Sequence, residues 1–197
     1  MVQVIAYEQL EQWEGREIGV SSWLQIDQAR VNAFADATGD HQWIHVDVER
    51  ASRERGGTIA HGFLTLTLIG VFGPEICTYS GVGLSLFYGL NKVRFTNEVP
   101  VGSRIRGRQR LLSVVPRSGG KLCTNEYVIE MEGAERPACI AEGLGLIFPE
   151  DASLTIPSDP AAAESKSSLG SGLDAAAVRD RKVRQSTRER SFCLLGL

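Results

Sequence analysis

Hydrophobic positions along this chain change period once, and the change separates a helical part from a strand-forming part. A short helix over residues 7–15, closed by Gly15, and a strand or extended lead-in over 18–26 come first. Val31, Phe34 and Ala35 then recur at helical spacing over 28–38. Asp27 stands where an N-cap belongs, Ile26 and Val31 are placed for a hydrophobic staple across it, and Gly39 supplies the stop. Asp47 predicts the cap of another short helix, reaching about Arg55 before Gly56-Gly57. The run 62–72 is apolar almost all round, which describes a buried helix packed on several sides and ended by Gly73-Pro74.

After residue 84 the spacing becomes two. Strands are predicted over 84–99, 102–115, 121–132 and 138–148. In the third, Tyr127, Ile129 and Met131 share one face while Glu126, Glu130 and Glu132 share the other. The connections carry Pro and Gly, as turns between antiparallel strands do. One buried helix followed by such strands implies an α+β fold, with a curved antiparallel sheet around the helix. From residue 149 onward Ala, Ser, Asp and Pro dominate without sustained period, then a basic run follows; 149–197 reads as a disordered tail with no assigned function.

Composition narrows the class. The 197 residues suffice for one domain plus that tail, and 43% apolar residues is a globular proportion. A net charge of −3 gives no global basic field, so nucleic acid is not an expected partner. The longest apolar run is too short to span a bilayer. Cys77, Cys123, Cys139 and Cys193 form no CxxC pair, and the first residues lack a signal-peptide pattern. They read as reduced thiols in a cytoplasmic protein.

Candidate chemistry concentrates between residues 34 and 68. Asp40 and His45 lie in the short link between two helical patterns, and His61-Gly62 opens the apolar run. An acid–base pair followed by a helix N-terminus suits chemistry on a carbonyl compound, where negative charge develops on oxygen. Plainer readings stand beside this one. Asp40 follows Gly39 and could serve only the turn; His45 could be a hydrogen-bonded structural residue; His61 could simply begin the helix. His41 and His45 have the spacing of metal ligands on a regular helix, but Gly39 and Asp47 mark this link as irregular, so no metal is expected.

GDHQWIHVD at 39–47, followed by TIAHGFLTLTL at 58–68, resembles the hydratase motif of the MaoC-like, (R)-specific enoyl-CoA hydratases. The wording is nearest to the nodulation protein N-like branch. Asp40, His45 and Asp47 match the family pattern, while Gln42 and Trp43 replace its Asn and Pro. The resemblance covers about residues 5–148, which makes 1–148 a hot-dog domain: an antiparallel sheet wrapped around a long central helix. It implies a hydro-lyase that adds water to a trans-2-enoyl thioester and gives the (R)-3-hydroxyacyl product, or runs in reverse. Asp40 would activate the water, His45 would share it and relay the proton, and the Gly62 N–H would hold the thioester oxygen. Gln42 and His61 would lie beside the substrate. In some relatives a serine stands where this chain has Gly70.

The resemblance also implies a homodimer and an acyl-CoA or acyl carrier protein thioester as substrate; no cofactor is expected. Cations for CoA phosphates would come from Lys92, Arg94, Arg104, Arg106 or Arg108, although alternating basic residues equally describe a solvated strand face. A hot-dog thioesterase is a second reading, weakened because 63–73 contains no carboxylate. A silent subunit that binds an acyl thioester or a partner is a third, and a signalling role that goes with the branch name is a fourth.

Overall fold

The computed structural model describes residues 2–152. The chain divides into two units, 1–155 and 156–197, and the described residues belong to the first. The expectation for the tail beyond residue 152 lies outside the described residues.

The helical part follows its caps. After strand β1 (Gln3–Ala6), a 3-10 helix (Tyr7–Trp13), β2 (Glu17–Val20) and β3 (Leu24–Gln25) comes α1, Gln28–Thr38. Asp27 accepts the Arg30 N–H at 2.8 Å, and Ile26 and Val31 are fully buried on either side of the cap. Gly39 ends α1 in the left-handed region, φ 78°, where a side chain would be strained. One turn, α2 (Trp43–Val46), leads to α3 (Val48–Arg55), capped by the Asp47 carboxylate on the Arg50 N–H at 2.9 Å.

The apolar run forms two consecutive helices, α4 (Gly62–Thr67) and α5 (Ile69–Ile76), joined at Leu68 with ψ −9°. This corrects the expectation of one helix ending at Gly73-Pro74. Pro74 lacks an N–H, but it is exposed in the last turn, and burial of Ile76 carries the helix past it. The run is also not packed on every side. Leu64, Leu66, Ile69, Phe72 and Ile76 are buried, whereas Phe63 and Val71 are 66% and 43% exposed.

Strand β4 (Cys77–Ser80) pairs in parallel with β1, a pairing the sequence reading lacked. The four predicted strands are β5 (Val82–Phe95), β6 (Arg104–Arg117), β7 (Gly120–Met131) and β8 (Cys139–Pro149). They join β2 in an antiparallel sheet of order β2-β6-β7-β8-β5, with β3 also on β6. The sheet and the central helices enclose one core, from Ile5 and Leu10 to Phe72, Ile105, Ile129 and Ile147. The helix lies very close to the sheet at Gly107, where an added Cβ would stand 2.8 Å from the Phe72 Cβ. Beyond β5 the sheet has no further strand among the described residues. That edge exposes Phe87, Leu90 and Phe95, and the Phe95 ring meets Phe63 of α4 with centroids 5.9 Å apart.

Candidate active site

The link between α1 and α3 is held against the segment that leads into α4. The Ile59 N–H donates to the Ile44 carbonyl at 3.1 Å, and the Ala60 N–H donates to Val99 at 2.8 Å. Gln28 reinforces this from α1. Its Nε2 donates to the His45 carbonyl at 2.7 Å, and its Oε1 accepts the Thr58 hydroxyl at 2.6 Å. Sequence reasoning missed Gln28, whose position in the first turn of an ordinary helix gave no signal.

His45 is buried, and its Nδ1 lies 2.7 Å from the Ile59 carbonyl oxygen. A carbonyl can only accept, so Nδ1 carries the proton and the neutral ring keeps its lone pair on Nε2. Burial lowers the pKa of His45 below the ordinary 6.5. The bond to Ile59 opposes that shift, His61 adds to it, and Asp40 opposes it weakly. The neutral, accepting ring is therefore the resting form near pH 7.

His61 stacks on His45, with centroids 3.7 Å apart and planes at 25°. Its Nε2 donates to the Asp40 carbonyl at 2.9 Å and lies 4.0 Å from the Asp40 carboxylate. Its other nitrogen, Nδ1, is buried without a hydrogen-bond partner among the described residues. Phe34 packs on the same ring at 5.0 Å. The Asp40 carboxylate is more than half exposed and accepts the Gln42 N–H at 3.4 Å.

Ligand atoms of Asp40, His45 and His61 all lie within 4.8 Å of one another. A carboxylate and a ring nitrogen at that spacing could share one water, and the cluster would also admit a small cation. His41 does not join them; it is exposed and bonded to Asp36 at 2.8 Å, which raises its pKa. Gln42 is exposed, and its carbonyl accepts the His45 N–H at 2.9 Å. Gly62 is the first residue of α4, so its N–H has no partner within the helix. The Phe95 ring lies against it, 3.1 Å from where a Cβ would be.

Most candidate phosphate-binding cations are occupied. Arg106 and Arg108 both bond Glu130 at 2.7 Å, Arg104 bonds Glu132 at 3.0 Å, and Lys92 lies 3.7 Å from Glu142. These pairs are cross-strand links between β6 and β7 and between β5 and β8, and Arg106, Arg108 and Glu130 are half-buried.

A sheet folded around a central helix is the architecture of the hot-dog class. Residues 9–128 match the MaoC-like domain, and the chain belongs to that family of dehydratases, enzymes of the hydro-lyase class. It is 50% identical over 132 residues to 3-hydroxyacyl-thioester dehydratase Z of Mycobacterium tuberculosis, covering 66% of this chain and 87% of that protein. Nodulation protein N of Rhizobium leguminosarum bv. viciae is 44% identical over 140 residues, covering 68% and 85%. Among solved structures, the (R)-hydratase PhaJ1 of Pseudomonas aeruginosa superposes with TM-score 0.59 at 23% identity, over 80% of this chain and 97% of that one. These structural likenesses carry the fold.

Proposed function

We propose that this protein hydrates trans-2-enoyl thioesters to (R)-3-hydroxyacyl thioesters and runs the reverse dehydration, with CoA or acyl carrier protein as the thiol. The observation that carries the reading is the paired presentation of the Asp40 carboxylate and the His45 ring within 4.8 Å, with the His45 tautomer set by Ile59. One water held by both groups would lose its proton as it attacks C3. A proton is then returned to C2. The Gly62 N–H would hold the thioester oxygen while enolate charge builds on it. His61 in this reading supports the pair from beneath, and Gln42 lines the approach.

The exposed apolar residues of β5 and of α4–α5 support a homodimer joined along that sheet edge. No described helix is long and apolar enough to cross a membrane. The test is hydration of crotonyl-CoA by purified protein with chiral analysis of the product. The (R)-alcohol is expected; a folded protein inert toward enoyl thioesters on both CoA and acyl carrier protein overturns the reading.

A further inference from the structure

A cavity of about 920 Å³ opens between the central helices and the concave face of the sheet. It starts at Phe63, the residue after Gly62, and follows one face of α4–α5 past Gly70 and Gly73. A Cβ at either glycine would meet nothing within 4 Å, so the space is open along that face. A pocket built only to hold an alkyl chain would be apolar to its end. This one is not.

Gln109 on β6 and Asn125 on β7 line the cavity and are 3% and 4% exposed. Gln109 lies opposite Tyr127, and Asn125 opposite Leu111, so the two amides are diagonal neighbours on one face. The Gln109 Nε2 donates to the Asn125 Oδ1 at 2.9 Å. Neither the Gln109 Oε1 nor the Asn125 Nδ2 has a further protein partner among the described residues. Both atoms open onto the cavity rather than into sealed protein, so water or a bound polar group can meet them there. Tyr79 and Tyr127 line the same cavity, and burial pushes both phenols up, Tyr127 to about 12; the Tyr79 hydroxyl is engaged with Cys77, which leaves Tyr127 as the donor.

Tyr79 and Cys77 follow the end of α5. The polar end is therefore remote from Gly62, roughly 20 Å along the helices at 1.5 Å per residue. No charged side chain among the described residues lines the cavity. A carboxylate or ammonium group would enter without a counter-charge, whereas a neutral oxygen group would find both donors and an acceptor.

We infer that this cavity receives the far end of the acyl chain, and that the enzyme favours long-chain enoyl thioesters bearing an uncharged oxygen group, a hydroxyl or ketone, at that end. The inference rests on the hydratase reading above and names its substrate class. Its test compares plain trans-2-enoyl-CoAs from octenoyl to hexadecenoyl with their ω-hydroxy, ω-oxo and ω-carboxy counterparts, beside crotonyl-CoA. Crotonyl-CoA is too short to reach the polar end, so its hydration reports the hydratase reading alone.

At one chain length the hydroxy or oxo substrate should exceed the plain one about tenfold in kcat/KM, equivalent to about 1.4 kcal/mol, and the carboxylate should be the poorest. In a Gln109→Leu/Asn125→Leu variant, which removes both amides together and whose fold is checked by thermal melting, that ratio should fall below one. Tyr127→Phe should lower it in part. Hydration of crotonyl-CoA without preference for any oxygenated chain in the wild-type protein overturns the inference and leaves the hydratase reading standing. So does a preference that survives the double substitution.

Discussion

Replacing His45 by Ala separates the structural from the chemical role of that ring. The structural loss is read from one bond. The Ile59 carbonyl loses the Nδ1–H that lies 2.7 Å away in a partly buried position. An unmet acceptor there costs about 1–3 kcal/mol. The His61 ring, 3.7 Å away, loses its stacking neighbour at the same time, which adds to that cost. At about 2–4 °C per kcal/mol for a chain of this size, the melting temperature should fall by several degrees. The chemical loss is larger. A positioned general base or proton relay is worth about 10²–10⁴ in rate, so kcat/KM for crotonyl-CoA should drop by about that factor. Both are read on one preparation: differential scanning fluorimetry, then rates taken well below the variant's midpoint. A variant that melts several degrees lower yet keeps kcat/KM within threefold of wild type would refute the catalytic assignment and leave His45 a structural residue.

Other outcomes follow from the same geometry. Burial lowers the His45 pKa, so the accepting ring is present above 6.5 and is lost only as pH falls through the lower folded-state value; kcat/KM should decline on the acid side below 6.5, and an acid limb centred above it contradicts the account. The sign for stability is the same: the unfolded chain takes up the proton first as pH drops, so the melting temperature should fall with pH between 6.5 and the folded value. Gly107→Ala would press a Cβ to 2.8 Å from that of Phe72 and should cost about 1–3 kcal/mol in a urea titration. Leu90→Lys, on the exposed edge strand, should convert a dimer into a monomer in sedimentation velocity; a wild-type protein that already sediments as a monomer would remove the dimer.

What the sequence made legible was mostly local. Asp27, Gly39, Asp47 and Gly56 are capping residues whose chemistry depends on a few neighbours, and the helices they bound end where they indicate. The four long strands follow from alternation of side chains and from Gly- and Pro-bearing turns. Features set by distant packing were hidden. The Gly73-Pro74 stop is a sound local signal, yet α5 passes it because Ile76 is buried. The β1–β4 pair joins residues far apart in the chain with no periodic signature over four positions. At the site, Asp40, His45, Gly62 and His61 all lie in the two quoted segments. The stacking of His61 on His45, and the Ile59 carbonyl that sets the tautomer, depend on how those segments meet. Gln109 and Asn125 were silent, because a polar residue in an alternating strand reads as an outward-facing position until the sheet is closed around its helix.

The central claim is that Asp40 and His45 act together on one water. A kinetic double-mutant cycle tests it most directly: kcat/KM for crotonyl-CoA in wild type, Asp40→Asn, His45→Ala and the double variant, each confirmed folded. If the two groups share the water, either single substitution disables the step and the double variant is scarcely worse than the poorer single. Losses that multiply across the two sites, or a negligible loss in Asp40→Asn, would show that the residues do not work as a pair.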